Sequence, residues 1–292
     1  MTKAGIVAVV GKPNAGKSTL LNRLVGQKLS ITSEKPQSTR DRVVGILTDA
    51  TTQMVILDTP GLLDPAYALQ QAMRGAAIAA LDDADVIVHL SDARDGVPPR
   101  LVEAAELSRE PKGAVIVALN KIDLLSQQDQ DALISAVPDA VQLSALTGEG
   151  VTQLLDVVRA QLPESPFLYP DDDISTQSVR FFAAELIRET ALEQLSEEVP
   201  YSIACEIEEF REDRSPVYVR AVVYVERESQ KRILIGDKGR RIREIGTVAR
   251  KKIETLVGTQ VYLDLWVKVL QNWRRDVASL RRFGYHLPSS QR

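Results

Sequence analysis

The sequence predicts an α/β chain in two parts: a layered domain with a mainly parallel sheet over residues 1–165, then a smaller α+β domain over residues 179–292. Three observations carry that prediction. The first half alternates short apolar runs with longer amphipathic ones, the order that builds a parallel sheet covered by helices. Residues 163–173 (PESPFLYPDDD) are proline-rich and acidic with neither a helical nor a strand period, so 166–178 reads as a linker. Beyond it the order changes to one helix, two alternating strands, two helices and a strand.

Length and composition set the bounds. A chain of 292 residues with 44% hydrophobic and 26% charged residues has room for two hydrophobic cores. Its longest apolar runs are strand-sized and its N-terminus lacks a charged-then-apolar leader, which points to a cytoplasmic protein without a membrane span. The single cysteine, Cys205, cannot form an internal disulfide; it alternates with Ile203 and Ile207, as a buried structural thiol does. His89 and His286 stand far apart and do not suggest a zinc site. The net charge of −4 conceals a polarity: residues 1–165 carry −5, 166–210 carry −9 and 211–292 carry +10. The C-terminal end is therefore the polyanion-binding candidate, although a charge run alone is also what a solvated face looks like.

Taken in order, residues 6–10 form a buried strand and 18–25 begin an amphipathic helix. Residues 43–47 and 54–57, separated by 48–52, read as a hairpin, which makes one edge strand antiparallel. Strands follow at 86–90, 114–119 and 141–143, with helices near 69–81, 100–109, 127–136 and 150–161. In a sheet of this kind a ligand lies at the carboxyl ends of the strands.

The motifs fall at those ends. Gly11-Lys12-Pro13-Asn14-Ala15-Gly16-Lys17-Ser18 satisfies G-x-x-x-x-G-K-[ST] between a strand and a helix. Backbone N–H groups of such a loop converge on an anion at a helix N-terminus, where unpaired donors and the helix dipole favour negative charge. Asn14, Ala15, Gly16, Lys17, Ser18 and Thr19 are the phosphate-binding candidates, with Lys17 as a point charge toward the β- and γ-phosphates and the Ser18 hydroxyl placed for Mg2+. Asp58-Thr59-Pro60-Gly61 follows the third strand, Asn120-Lys121-Ile122-Asp123 the fifth and Ser144-Ala145-Leu146-Thr147-Gly148 the sixth. Singly these are turns or helix caps. Together, in this order, they point to one nucleotide site.

These segments resemble the phosphate, switch and guanine motifs of the translation-factor-related GTPases, and the N-terminal half is similar to the Era branch, which implies a P-loop GTPase domain that binds GTP and GDP with Mg2+. The Asp123 carboxylate can accept the two parallel donors of guanine, N1–H and N2–H2, whereas adenine opposes it with a lone pair; a mispaired desolvated group costs roughly 1–3 kcal/mol. The resemblance also places Asn120, Lys121 and Ser144 around the base and its loops, and the Ala145 amide against the guanine oxygen. It implies that residues 33–41 (SEKPQSTRD) are the first switch, that Ser18, Thr39 and Asp58 serve Mg2+, and that Lys17, Thr39 and Gly61 act on the γ-phosphate. Leu62 stands where Ras-like enzymes carry a glutamine, so unassisted hydrolysis should be slow, on the order of 10⁻⁴ to 10⁻² per second. Asn14 is either a ligand for K+ beside the phosphates, as in related GTPases, or a stabiliser of the loop turn.

The second half orders as αββααβ, with Gly236-Asp237-Lys238-Gly239-Arg240-Arg241 at a helix junction, and resembles a type II KH domain. Two glycines let backbone amides approach a nucleic-acid strand, and the basic residues around them meet phosphates. Residues 231–252 hold nine Lys or Arg against Asp237 and Glu244. Trp266 alternates with Leu263 and Leu265 and fits core or sheet surface; Trp273, beside Arg274 and Arg275, is the better RNA candidate. The combined resemblance implies a monomeric GTP-hydrolysing switch whose nucleotide state sets the arrangement of its two domains. It would bind small-subunit ribosomal RNA near its 3′ end and assist assembly of the small ribosomal subunit. Two rivals are a GTPase whose basic domain associates peripherally with anionic membrane, and an RNA-binding module with a vestigial nucleotide site.

Overall fold

The computed structural model describes residues 1–33, 35 and 37–287, so Glu34 and Pro36 of the first-switch segment and residues 288–292 of the C-terminal domain lie outside the described residues. The chain forms two compact units, Met1–Pro65 with Met73–Thr176 and Ala66–Ala72 with Gln177–Arg292.

The first unit holds strands β1 (Lys3–Val10), β2 (Val43–Thr48), β3 (Thr52–Asp58), β4 (Val86–Asp92), β5 (Ala114–Asn120) and β6 (Val141–Leu143), in the sheet order β2-β3-β1-β4-β5-β6. Only the β2–β3 hairpin is antiparallel. The central strands read as almost continuous apolar runs because both of their faces are buried. On one face, Ala77, Ala80 and Leu81 of α2 (Ala68–Asp83) pack against Val44, Ile46, Val55, Leu57 and Ile87. On the other, Leu21 and Val25 of α1 (Lys17–Val25) press so close to Gly45 that any Cβ there would lie 2.7 Å from both. The helix expected near 100–109 is only one turn, α3 (Leu101–Ala104), because Glu106 adopts a left-handed φ of 49° and ends it. Helices α4 (Gln127–Ala136) and α5 (Val151–Gln161) complete the unit.

The stretch read as a linker is bound to this unit. Gln53, fully buried, accepts from the amides of Leu168 and Tyr169 and donates to the Tyr169 carbonyl, while the Ile46 amide of edge strand β2 donates to Ile174 and Ser175 Oγ donates to Val44. An edge left open would expose unpaired amides, and the linker covers it.

The second unit contains α6 (Val179–Gln194), β7 (Ala204–Arg211), β8 (Val217–Val225), α7 (Glu228–Ile235), α8 (Arg240–Val257), β9 (Val261–Val269) and α9 (Val277–Arg282). β8 is the middle strand, antiparallel to β7 and parallel to β9. Ala183, Ile187 and Ala191 of α6 and Ile245, Ala249 and Ile253 of α8 each recur every four residues. They bury against the odd-numbered residues of β8 from Val217 to Val225. Each fully buried isoleucine contributes about 1.5–3 kcal/mol. Cys205 packs at the margin of this core, and burial pushes its thiol well above the usual range, consistent with a structural role.

Of the two tryptophans, Trp273 departs from expectation and Trp266 takes the sheet surface, one of the two places open to it. Trp273 is 0% exposed: its Nε1 donates to the Ser202 carbonyl at 2.8 Å and its ring meets Phe283 edge-on, so it belongs to the core and is withdrawn as an RNA contact. A buried indole needs one acceptor for its N–H, and the turn at Ser202 supplies it. Trp266 projects from the outward face of β9 and is 55% exposed.

Candidate functional site

Most of the nucleotide-site candidates line one cleft of about 410 Å3, within the range of small-molecule sites, while Ala15, Asp58 and Ser144 are buried and do not line it. Its floor is the Gly11–Ser18 loop, which leads from β1 into α1. Gly16 caps that helix at a left-handed φ of 98° with no side-chain acceptor, leaving the first-turn amides to an outside anion. An added Cβ at Gly16 would stand 2.1 Å from the Asn120 amide nitrogen, so only glycine fits.

Lys17 is buried, and its Nζ donates to the carbonyls of Gly11 and Lys12 at 3.1 and 2.9 Å. Burial brings its pKa down to about 8, against the opposing attraction of Asp58. Asp58, 0% exposed at the end of β3, is pushed the other way: desolvation raises its pKa in spite of hydrogen bonds from Ser30, Ser18 and Thr39 and the charge of Lys17. Ser18 Oγ lies 2.8 Å from Thr39 Oγ1 and donates to Asp58 Oδ2 at 2.7 Å. Asp58 Oδ1 is buried without a hydrogen-bond partner among the described residues. Two hydroxyls and a carboxylate with an orphaned oxygen form a hard-oxygen donor set that suits Mg2+. The Ser18, Thr39 and Asp58 expected around that ion are thus brought together.

Gly61 packs against Pro13 of the loop, and the Leu62 amide donates to the Gly11 carbonyl at 3.0 Å. The Leu62 side chain points into the core under α2. It presents no polar group to the cleft.

The guanine candidates act on one another as well. Asn120 Nδ2 donates to the Ala15 carbonyl at 2.7 Å and its Oδ1 accepts from the Ala145 amide at 2.8 Å, so Asn120 ties the phosphate loop to the Ser144–Gly148 loop. The Ala145 amide, expected against the guanine oxygen, donates to Asn120 in this structure. Ser144 is fully buried and its Oγ accepts from the Thr147 amide. Lys121 donates to the Asn14 carbonyl at 2.6 Å and to Asp92 Oδ2 at 2.8 Å. Asp123 stands exposed on the cleft wall, with Thr19 and Asn14 lining the same cleft.

Four further residues hold this arrangement together without belonging to any of the motifs. Ser30 Oγ donates to Asp58 Oδ2 at 2.5 Å. Asn22 binds the backbone at Leu29 and Ser30. Arg23 Nε donates to the Ala145 carbonyl at 2.5 Å and its other nitrogen reaches the Leu146 carbonyl. At Asp92, partial burial pushes the carboxyl up, yet hydrogen bonds from Arg94 and Lys121 outweigh it and hold the group well below the usual carboxylate range. The one sequence signal was spacing: Asn22 follows Ser18 by four residues and shares its helix face.

In the second unit the residues from Gly236 to Arg241 form the turn between α7 and α8. Gly236 and Gly239 have φ of 72° and 76°, and Lys238 between them has 45°. A Cβ on Gly236 would lie 2.8 Å from Arg241 Cβ, whereas one on Gly239 would meet nothing within 4 Å. The Arg241 guanidinium donates to the Ile233 carbonyl at 3.2 Å and braces the turn. Asp237, Lys238 and Arg240 are exposed, and no side chain caps the N-terminus of α8. Ile233, 41% exposed, offers apolar surface beside the turn. Lys251 is exposed further along α8, but Lys252 is bound to Glu189 and Glu193 of α6 at 2.9 Å.

Comparison with known proteins gives two family models: a 50S ribosome-binding GTPase at residues 6–121 and a KH domain at residues 198–274. The chain is 40% identical over 97% of its length to the GTPase Era of Carboxydothermus hydrogenoformans, covering 98% of that protein. It is 44% identical to the GTPase Era of Ectopseudomonas mendocina, covering 98% of each. A crystal structure of Era in complex with MgGDPNP and nucleotides 1506–1542 of 16S ribosomal RNA superposes with a TM-score of 0.91 at 40% identity, over 98% of this chain and all of that one. A variant of Aquifex aeolicus Era bound to GDP and aluminium fluoride superposes at 0.90, also at 40% identity, over the same shares of the two chains.

Proposed function

The chain belongs to the Era family of GTPases, and from that membership and the geometry of its cleft we propose the following assignment of residues and partners. The protein binds GTP and GDP and hydrolyses GTP to GDP and phosphate. Water attacks the γ-phosphorus and the bond to the β–γ bridging oxygen breaks. Lys17 and the amides at the start of α1 balance the charge on the β- and γ-phosphates, and the Gly61 amide faces the γ-phosphate. Ser18, Thr39 and Asp58 hold Mg2+. Held by these three residues, Mg2+ would supply positive charge to offset the charge that develops on the phosphate oxygens. The observation that carries this reading is the buried Lys17 beside an Asp58 whose Oδ1 is orphaned: two desolvated charges are incompletely matched until a metal-bound polyphosphate joins them.

Asp123 selects guanine. Asp123→Asn should exchange preference from GTP to XTP, whose C2 carbonyl can accept from the new amide, by about tenfold or more. A competition assay measures this, and full retention of GTP preference would refute the role. With Leu62 buried, nothing at that position orients water, so a second factor completes the site. K+ held with the help of Asn14 is our candidate. Replacing Na+ by K+ at equal ionic strength should raise turnover, and Asn14→Ala should remove the response; a wild-type enzyme indifferent to the exchange would eliminate potassium.

For the second unit we propose that the Gly236–Arg241 turn binds single-stranded RNA of the small ribosomal subunit near its 3′ end. That reading is supported by the segment named in the complex of its relative and by the open helix N-terminus beside Ile233. On this reading the protein acts on the small subunit during assembly, as a cytoplasmic monomer. The turn favours RNA over a membrane surface, because a basic face that meets lipid needs no paired glycines with left-handed φ.

A further inference from the structure

Asp58 is held asymmetrically. Its Oδ2 accepts from Ser18 at 2.7 Å and from Ser30 at 2.5 Å, while its Oδ1 is buried with no hydrogen-bond partner among the described residues. Ser18 is also a ligand candidate, so its hydroxyl turns a lone pair to the metal whenever one is bound. Ser30 is not one, and it is the anchor whose only visible task is the carboxylate.

Ser30 is itself fixed. It is 2% exposed, and Asn22 clamps its backbone from both sides: Asn22 Oδ1 accepts from the amides of Leu29 and Ser30 at 2.9 and 2.8 Å, and Nδ2 donates to the Ser30 carbonyl at 2.8 Å. Asn22 lies one turn after Ser18 on α1, so a single helix carries a metal-ligand candidate and the clamp for the anchor of another. We propose that Ser30, held by Asn22, is a positioning residue for the magnesium site: it fixes Asp58 Oδ2 so that Oδ1 is the oxygen presented to the ion.

The inference rests on the magnesium assignment above. The groups that orient metal ligands from behind change metal affinity by roughly 10- to 100-fold when removed. The test is the release rate of fluorescently labelled GDP from the full-length protein across a range of free Mg2+, with EDTA as the zero point, for wild type, Ser30→Ala, Ser30→Thr, Asn22→Ala and the double alanine variant. Labelled GDP is chosen because it is not hydrolysed, so release is read without competing turnover. The Mg2+ concentration that half-suppresses release should rise by roughly 10- to 100-fold in Ser30→Ala. Ser30→Thr, which keeps the hydroxyl, should stay nearer wild type. The double variant should be no worse than the stronger single one, since both act through one hydrogen bond. In EDTA all variants should release GDP at the wild-type rate, because neither Ser30 nor Asn22 lines the cleft. A Ser30→Ala midpoint within twofold of wild type overturns the proposal. So does faster release in EDTA, which would make Ser30 a determinant of loop structure. Wild-type release that ignores Mg2+ would instead overturn the magnesium assignment itself.

Discussion

The nucleotide cleft and the turn between α7 and α8 place charge in opposite ways. In the cleft Lys17 and Asp58 are buried, with shifted pKa values and defined hydrogen-bond partners. At the turn Lys238 and Arg240 are exposed, as is Lys251 further along α8, and the fixed features are backbone: two glycines and one lysine at positive φ and a helix N-terminus without a cap. A compact polyphosphate can be met by a few desolvated groups, each of which then matters greatly. A strand of nucleic acid is met by a shaped backbone within a diffuse positive field, and no single cation there is decisive.

The largest expected effect follows from the first half of that contrast. Lys17→Ala should lower GTP hydrolysis by about a hundredfold or more, the usual size for losing a preorganised group that stabilises developing charge. Single-turnover phosphate release at saturating GTP measures it. A variant retaining more than a tenth of wild-type turnover would show that the cleft is as tolerant as the basic face, and the contrast would fail.

The same contrast explains what was legible in the sequence. The first unit could be read strand by strand because each motif sits at a strand end and needs particular residue types at fixed spacing. Ser30 could not, since a serine in a polar stretch becomes informative only when the fold brings it within 2.5 Å of Asp58. The bond the Ala145 amide makes to Asn120 is likewise a property of loop packing that no tetrapeptide reveals. Trp273 failed for a related reason. Its neighbours Arg274 and Arg275 suggested a surface, but α9 folds back so that Phe283 and Tyr285 enclose the ring. The linker was legible as irregular chain. Its attachment to the sheet runs through the buried side chain of Gln53 on β3, which local pattern assigns to no role. The short α3 has the same origin, a left-handed residue at Glu106 within an otherwise helical pattern.

The intermediate effect tests the backbone of the turn. Aspartate at both Gly236 and Gly239 introduces side chains at φ near +75°, at about 1–2 kcal/mol each, and the first also collides with Arg241. Selectivity for oligonucleotides of the small-subunit 3′ region over scrambled controls should be lost almost completely, while GTP affinity is unchanged. Gly236→Ala should weaken binding more than Gly239→Ala, because only the first lacks space for a Cβ. Equal losses, or selectivity retained in the double variant, would mean that the turn geometry does not read the strand.

The smallest expected effect separates two adjacent lysines that charge counting treats alike. Lys251 is exposed on α8 and free to contribute to the positive field. Lys252 donates to Glu189, whose side chain is fully buried, and to Glu193, and these bonds raise its pKa although partial burial opposes them. Lys252 is therefore largely neutralised and belongs to the α6–α8 packing. Lys251→Ala should reduce the slope of log affinity against log salt by about 0.7, the value for one phosphate contact on single-stranded nucleic acid, and weaken all sequences by a similar factor without reordering them. Lys252→Ala should leave the slope unchanged and instead lower the thermal stability of the second unit, since removing one partner of a buried charge strands the other. Titrations at several salt concentrations, paired with thermal unfolding, distinguish the two. If Lys252→Ala shifted the salt slope as much as Lys251→Ala, the positive face would be acting as bulk charge, and the distinction between shaped backbone and surrounding field would lose its support on this helix.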